Sequence, residues 1–216
     1  MYSWNSKRAR EEDDSDDRKS KEPRLSNKDS DNHVKSIDNH IYFYSEVSRK
    51  SIMDLNNEIK RITNRILDHS TKTDSKPASL YIHINSYGGS IFAAMAGIDC
   101  IRECPLEVVT IIEGCAASAG TLLSVVGDKR LMKKHSHMLI HQLSSGFWGK
   151  MNEIEDEIKN LNKLMDIIKG IYMEHTKIPK KEISKLLKHD LWWGTEKCLN
   201  MGLIDSIVQP KKLNNE

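Results

Sequence analysis

The stretches Leu80–Gly89 (LYIHINSYGG) and Val108–Gly120 (VVTIIEGCAASAG) decide the fold of this chain. Each begins with an apolar, β-branched run that predicts a strand, and each ends in small residues that lead into a helical pattern. A serine among glycine and alanine at such a junction has exposed backbone N–H groups around it, which suits the stabilisation of an oxyanion. Strands that alternate with helices predict an α/β fold.

Ser118 and His141 form the candidate pair for nucleophilic catalysis. A serine hydroxyl is a poor nucleophile at neutral pH and needs a positioned base, a task that suits histidine. His141 ends the apolar run Met138–His141 (MLIH). We expect the backbone N–H groups of Gly89 and Ala119 to hold the developing oxyanion. A helix cap is the alternative role for the serine, and a buried structural histidine is the alternative for the base.

Two other kinds of site are disfavoured by the spacing. The nucleophile elbow of the α/β-hydrolases needs Gly-x-Ser-x-Gly, whereas position 116 is alanine here. His135, His137 and His141 could be read as metal ligands, but no carboxylate lies at a helpful spacing. We therefore expect no metal.

The composition disfavours several classes of partner. Lys and Arg number 33 against 31 Asp and Glu, and a net charge of +2 favours neither nucleic acid nor a membrane surface. No run of about 18 apolar residues could span a bilayer, and the N-terminal region has no apolar signal core. Without a Cys-x-x-Cys pair, we expect reduced, mostly buried cysteines and a cytoplasmic or equivalent reducing compartment. The four are Cys100, Cys104, Cys115 and Cys198.

Three regions follow from the distribution of charge. Residues 1–36 mix acidic and basic side chains and predict a disordered tail, residues 37–209 form the folded domain, and residues 210–216 form a polar C-terminal tail. Two basic clusters in the first tail could be read as a nuclear localisation signal, but the acidic run between them cancels their field.

Strands are predicted at 40–44, 80–84, 108–112, 130–132, 137–140 and 203–208. Helices are predicted at 48–67, 90–103, 118–126 and 180–188, for about 25 residues from Met151, and from Thr195 to Gly202, with a polar loop at 69–79.

Together these motifs resemble the proteolytic subunit of the Clp protease (ClpP), in the ClpP/crotonase superfamily, across residues 38–209. Asn85–Ser90 resembles its Asn-Ser-Pro-Gly-Gly segment, and Gly114–Gly120 resembles its nucleophile motif, Gly-Gln-Ala-Ala-Ser-Met-Gly. Met138–Gln142 resembles its Met-Ile-His-Gln base motif. The three occur in the family's order with similar spacing. The resemblance implies a fold of repeated ββα units with a protruding long "handle" helix.

The same resemblance implies roles for single residues. Ser118 matches the nucleophile and His141 the general base, while Gly89 and Ala119 match the oxyanion donors. The family's acid lies in a stretch like Asp-Arg-Phe-Leu-Ser-Ala-x-Glu-Ala, which positions 190–198 match without a gap. The matched acid, which would orient the base, is Asp190. Asp205 is the competing carboxylate, and a capping or surface role is the alternative for Asp190.

The implied function is a serine endopeptidase that hydrolyses unfolded polypeptides or short peptides inside an oligomeric chamber. The long helix with Gln142–Gly149 resembles the handle through which two heptameric rings stack, so the first expected partner is the chain itself. No cofactor is expected in this chain, because ATP would be used by a partner unfoldase of the Clp type. The docking surface for that ATPase departs from the family: Tyr81 remains, but His83 and Glu103 replace aromatic or apolar groups.

Two alternatives stay open. A catalytically idle structural subunit of a mixed ClpP-like ring would fit the altered docking surface. It would also fit the substitutions beside the chemistry, where Tyr87 and Leu143 replace prolines and Cys115 replaces glutamine. A crotonase-like acyl-CoA enzyme would use the same oxyanion donors without a serine triad. The coincidence of serine, histidine and aspartate disfavours that second alternative.

Overall fold

The computed structural model describes residues 34–209. The predicted C-terminal tail, and the predicted N-terminal tail up to residue 33, lie outside the described residues. Within the described range the strands are β1 (Val34–Ile37), β2 (His40–Phe43), β3 (Leu80–Ser86), β4 (Val108–Ala117), β5 (Lys129–Lys133), β6 (His137–Leu139), β7 (Trp192–Trp193) and β8 (Ser206–Val208). The helices are α1 (Arg49–Thr73), α2 (Ile91–Arg102), α3 (Ala119–Val125), α4 (Met151–His175), α5 (Lys180–Leu186) and α6 (Thr195–Asn200).

The sheet runs in the order β1-β2-β3-β4-β5-β8, and all of these neighbours are parallel except β1 and β2. β4 is long enough to have two partners on one side. Its first half pairs with β5, and Cys115–Ala117 pairs in parallel with His137–Leu139 of β6. β7 continues beyond β6 as an antiparallel partner. The carboxyl ends of β3, β4 and β6 therefore meet at one edge, where α/β proteins place their sites.

The core is built from alternating apolar residues of the strands and one apolar side of α1. Leu80, Ile82 and Ile84 of β3 are fully buried. α1 begins with a capping box, in which Ser48 and Ser51 exchange hydrogen bonds, and the helix buries residues at intervals of three and four. The whole of α3 is buried, so the residue that precedes it is held on a rigid support.

The α/β class is confirmed, and each predicted helix and strand is present within a few residues. Four bounds differ. α1 continues to Thr73, so the loop predicted from residue 69 is wrong in its first five positions. This polar last turn is stabilised by the Ser70 hydroxyl, which donates to the Ser75 carbonyl, and by the left-handed Asp74. β4 extends five residues further than predicted and β8 begins three residues later.

Two strands were not predicted. β1 is a polar edge strand that begins three residues before the predicted start of the domain, and β7 has only two residues. Both are too short to show a periodicity, and they exist because a neighbouring strand supplies hydrogen bonds.

Among residues 34–209 no helix combines the length and the apolar character that crossing a membrane requires.

Candidate active site

Ser118 lies at the sharp turn between β4 and α3. Its φ of 53° and ψ of −127° are unusual for a residue with a side chain. Its N–H donates to the Leu139 carbonyl at 2.8 Å, and its carbonyl accepts from the Thr121 N–H at 3.0 Å. The hydroxyl makes no capping hydrogen bond although the residue occupies the N-cap position. The backbone is therefore fixed on both sides, while the hydroxyl has no hydrogen-bond partner among residues 34–209, which is not the arrangement of a helix cap.

Gly88 brings the two quoted motifs into contact. A Cβ at this position would lie 2.7 Å from the Ser118 Cβ and 2.8 Å from the Ala117 carbonyl oxygen, and its φ is +96°. Only glycine allows both the approach and the conformation. A second contact joins the same motifs, since a Cβ on Gly120 would lie 3.1 Å from the Ser86 Cβ. The Asn85–Ser90 segment is thus packed directly against the candidate nucleophile.

The backbone donors around Ser118 differ in availability. The Gly88 N–H donates to the Ser86 hydroxyl at 3.1 Å. Within the described part of the chain, the N–H groups of Gly89 and Ala119 have no hydrogen-bond acceptor. Ala119 opens α3, where first-turn N–H groups have no intrahelical partner. The two free donors are the two that the family motif implies.

His141 reaches the site because β6 pairs with the end of β4. His141 is the second residue after Leu139, whose carbonyl accepts from the Ser118 N–H. The His141 Nδ1 lies 3.7 Å from an Asp190 carboxylate oxygen, which is an ion-pair distance but longer than a hydrogen bond. The histidine side chain is 23% exposed and the aspartate 78%. Among the described residues no hydrogen bond joins the serine to the histidine, so hydrogen bonds do not link the three side chains in this structure.

Asp205, the competing acid, has another partner. One carboxylate oxygen accepts from the Arg130 backbone N–H at 2.8 Å and from its Nε at 3.0 Å. Burial raises the pKa of this carboxyl, but the contacts with Arg130 outweigh burial and hold the pKa below its ordinary value. Asp205 thus fixes the start of β8 to β5.

The remaining candidates do not form a site. His135 and His137 are exposed, and residues 34–209 contain no group of three His, Cys, Asp or Glu placed to hold a metal ion. All four cysteines are free, but Cys198 is the one that is fully buried, so the prediction of mostly buried thiols is wrong for the other three. Burial raises the pKa of the Cys115 thiol, which disfavours its reactive thiolate.

Two aromatic residues at this site were not predicted. Tyr87 and Trp192 meet edge to face, with ring centroids 6.4 Å apart and planes at 87°. The available sequence signal was their position, since one lies inside the Asn85–Ser90 motif and the other lies two residues after Asp190. Their contact depends on the pairing of β6 with β7, which the sequence does not show.

Comparison with known proteins gives two results. The chain matches the Clp protease family over residues 35–211. It is also 30% identical over 176 residues to the ATP-dependent Clp protease proteolytic subunit of Deinococcus radiodurans, a match that covers 79% of this chain and 86% of that protein.

Proposed function

The chain belongs to the Clp protease family, and we propose that it is a serine endopeptidase of the proteolytic-subunit type. Its substrates would be unfolded polypeptides or short peptides. The observation that carries the proposal is the turn at Ser118, where the hydroxyl is free and two unpaired N–H groups adjoin it. Membership of the family implies peptidase activity, and the site supports the serine type.

The reaction would proceed through an acyl-enzyme. The Ser118 hydroxyl attacks the peptide carbonyl while His141 takes its proton, and the free N–H groups of Gly89 and Ala119 receive the charge on the carbonyl oxygen. His141 then gives the proton to the departing amine. Water attacks the ester by the same route and restores the hydroxyl. Because Nδ1 faces Asp190, Nε2 is the nitrogen left for the serine.

The 3.7 Å separation of His141 from Asp190 is compatible with this role. Catalytic hydrogen bonds are often long in a free enzyme and shorten when substrate binds. Asp190 would then stabilise the imidazolium that forms during proton transfer. No metal or other cofactor is needed for these steps, and ATP would be used by a partner unfoldase.

We also propose that the chain assembles into stacked heptameric rings that enclose the serines. Apolar side chains on α4 support an assembly: Met151, Ile158 and Ile167 are 69%, 54% and 48% exposed. A closed chamber would protect folded proteins from a nonspecific peptidase. The four free cysteines support a cytoplasmic or equivalent reducing location.

Docking of a Clp-type ATPase is proposed with a modified surface. His83 is 6% exposed and is hydrogen-bonded to Glu113 at 3.0 Å and to His40 at 2.8 Å. Glu103 is exposed at the end of α2. A polar network therefore occupies part of the area where the family uses apolar groups, and we expect weak or altered recognition of the usual unfoldase.

Hydrolysis of a fluorogenic peptide and of a permanently unfolded polypeptide tests the proposal. Ser118→Ala and His141→Ala should each lower turnover by at least about 10³-fold. Ser184→Ala and His69→Ala, at exposed helical positions, serve as matched controls and should leave turnover unchanged. Equal turnover of Ser118→Ala and the unaltered chain would overturn the assignment.

The second candidate, an idle structural subunit of a mixed ring, is favoured by the 3.7 Å separation of His141 from Asp190. It predicts normal assembly without hydrolysis by the purified chain. Robust peptide cleavage that depends on Ser118 would eliminate it.

A further inference from the structure

The segment that bears Asp190 is an arch, residues 188–191, that is held at both ends. Its first half continues from α5, because the Lys188 and His189 N–H groups donate to the Lys185 and Leu186 carbonyls at 3.3 Å. At one end the Gln142 N–H donates to the Leu187 carbonyl at 2.7 Å. At the other end β7 pairs with β6, with Leu139 opposite Trp192. All four residues of the arch are exposed. Its side chains therefore contribute little packing that would hold the Asp190 carboxylate near His141.

The two tryptophans of β7 point in opposite directions. Trp193 is 4% exposed, and the Lys197 ammonium lies 4.0 Å from the centre of its ring. Trp192 alternates to the other side, where its ring meets Tyr87. Residues 190–193 run without a helix or turn. Only one residue separates Asp190 from Trp192, so a contact that restrains the Trp192 ring also restrains the backbone that carries the carboxylate.

Tyr87 belongs to the rigid part of the site. It stands between Ser86, which is buried, and Gly88, which packs on the Ser118 Cβ. Although its neighbours are fixed, its own side chain is 78% exposed, and Trp192 is the aromatic residue against which it rests. The contact thus connects the arch to the segment that supplies an oxyanion donor.

We propose that Tyr87 is a positioning residue for the acid: by packing against Trp192 it holds the Asp190 arch over His141. The inference rests on the proposed function, because it assumes that Asp190 assists His141. Without the Tyr87 ring, the arch would spend less time with the carboxylate directed at Nδ1. The loss would fall on the chemical step, because Tyr87 acts through Asp190.

The test is a set of kinetic measurements on the full chain with a fluorogenic peptide. Tyr87→Ala should lower kcat between about 3-fold and 10-fold, the range expected for one lost aromatic contact, with KM changed less than 2-fold. Tyr87→Phe should restore kcat, since the ring makes the contact. Trp192→Ala should give the same loss, and combining it with Tyr87→Ala should add little.

The decisive comparison uses Asp190→Asn as the background. If Tyr87 acts through the acid, Tyr87→Ala should lower kcat there by no more than about 1.5-fold. An equal loss in both backgrounds, a change confined to KM, or a loss in Tyr87→Phe would each overturn the proposal. Failure of the proposed function itself would look different, because the unaltered chain would then show no turnover that depends on Ser118.

Discussion

At the scale of single residues, Gly88 has the strictest requirement at the site. Gly88→Ala would place a methyl group within 3 Å of both the Ser118 Cβ and the Ala117 carbonyl, at a φ of +96°. Both contacts involve the turn that holds the nucleophile, so the segment must move away from it. We expect turnover to fall at least about 10²-fold, since misplacement of about 1 Å has effects of this size.

Gly146→Ala is the matched control for that substitution. No atom of the described part of the chain lies within 4 Å of a Cβ at position 146, and its φ is not in the left-handed region. This variant should keep its turnover. Equal activities of the two variants in the peptide assay would show that the close approach at Gly88 does not matter.

Substitutions of the two candidate acids, Asp190 and Asp205, form a second matched pair. Asp190→Asn should lower kcat by at least about 10²-fold, because the imidazolium loses its counter-charge. Asp205→Asn should lower the melting temperature, since the Arg130 contacts fix β8 to β5, and should leave kcat within 2-fold. Thermal unfolding and peptide hydrolysis, measured on both variants, check this. A reversed pattern would make Asp205 the acid.

The candidate nucleophile and base could be predicted from the sequence, because small residues at a strand end and a histidine after an apolar run are local signals. The approach of Asp190 to His141 could not be predicted in this way. Their approach depends on the contact of Leu187, the residue after α5, with Gln142 and on the pairing of β7 with β6. Such contacts between distant segments have no local pattern. For the same reason the partner of Asp205 was not visible before the fold was known.

At the scale of elements, β2 to β5 share a polar network on the sheet. Glu113 accepts from the Tyr44 hydroxyl and from the His83 Nδ1, and the Lys133 ammonium lies 3.5 Å away. His83 accepts from the His40 Nδ1 through its Nε2 when neutral. Protonation of His83 would remove that acceptor.

This network should make stability depend on pH. Burial lowers the pKa of His83 from its ordinary 6.5. The contact with Glu113 raises this pKa, and the charges of His40 and Lys133 lower it further. Burial raises the pKa of Glu113, but hydrogen bonds from Tyr44 and His83 outweigh it and lower this pKa from its ordinary 4.5. With both pKa values lowered in the folded state, the unfolded chain binds more protons. The stabilisation is complete above pH 6.5 and is lost as the pH falls through the folded values.

Urea unfolding at pH 7.5 and pH 5.0 measures this effect. The free energy of unfolding should fall more between these two pH values in the unaltered chain than in His83→Gln, which has no imidazole to protonate. The same pH dependence in both proteins would contradict the account.

The elements themselves were predicted with uneven success. α1 and α4 have long apolar periodicities, and Ser48 and Ser90 are clear N-caps of α1 and α2. The predicted starts of these three helices therefore agree with the structure. β1 and β7 have four and two residues and exist through their neighbours. The last turn of α1 is polar because it is exposed, and polar composition alone resembles a loop.

At the scale of the whole molecule, α4 indicates how copies would meet. Ile158 is 54% exposed on a helix of 25 residues, which suggests a surface covered in an assembly. Ile158→Glu should lower the particle mass to that of a single ring, because a charge would be buried between stacked rings. Asn160→Glu adds the same charge at an exposed polar position and should leave the mass unchanged. Equal masses in light scattering would exclude this surface from the contact.

The assembly is the level at which the sequence is least informative. The periodicity of α4 predicts its length correctly, but the same stripe could pack on the chain's own core. The structure separates the two parts: Ile168 and Tyr172 are buried in the core, while Met151 and Ile158 are exposed. The number of copies follows from the angle between neighbours, which no single chain contains.

Labelling with a fluorophosphonate, followed by peptide mapping in a mass spectrometer, tests the central claim most directly. The proposal predicts one adduct per chain, located on Ser118, absent from Ser118→Ala and formed far more slowly in His141→Ala. An adduct on another serine, equal labelling of Ser118→Ala, or no adduct on a correctly assembled particle would contradict the claim that this chain is an active serine peptidase.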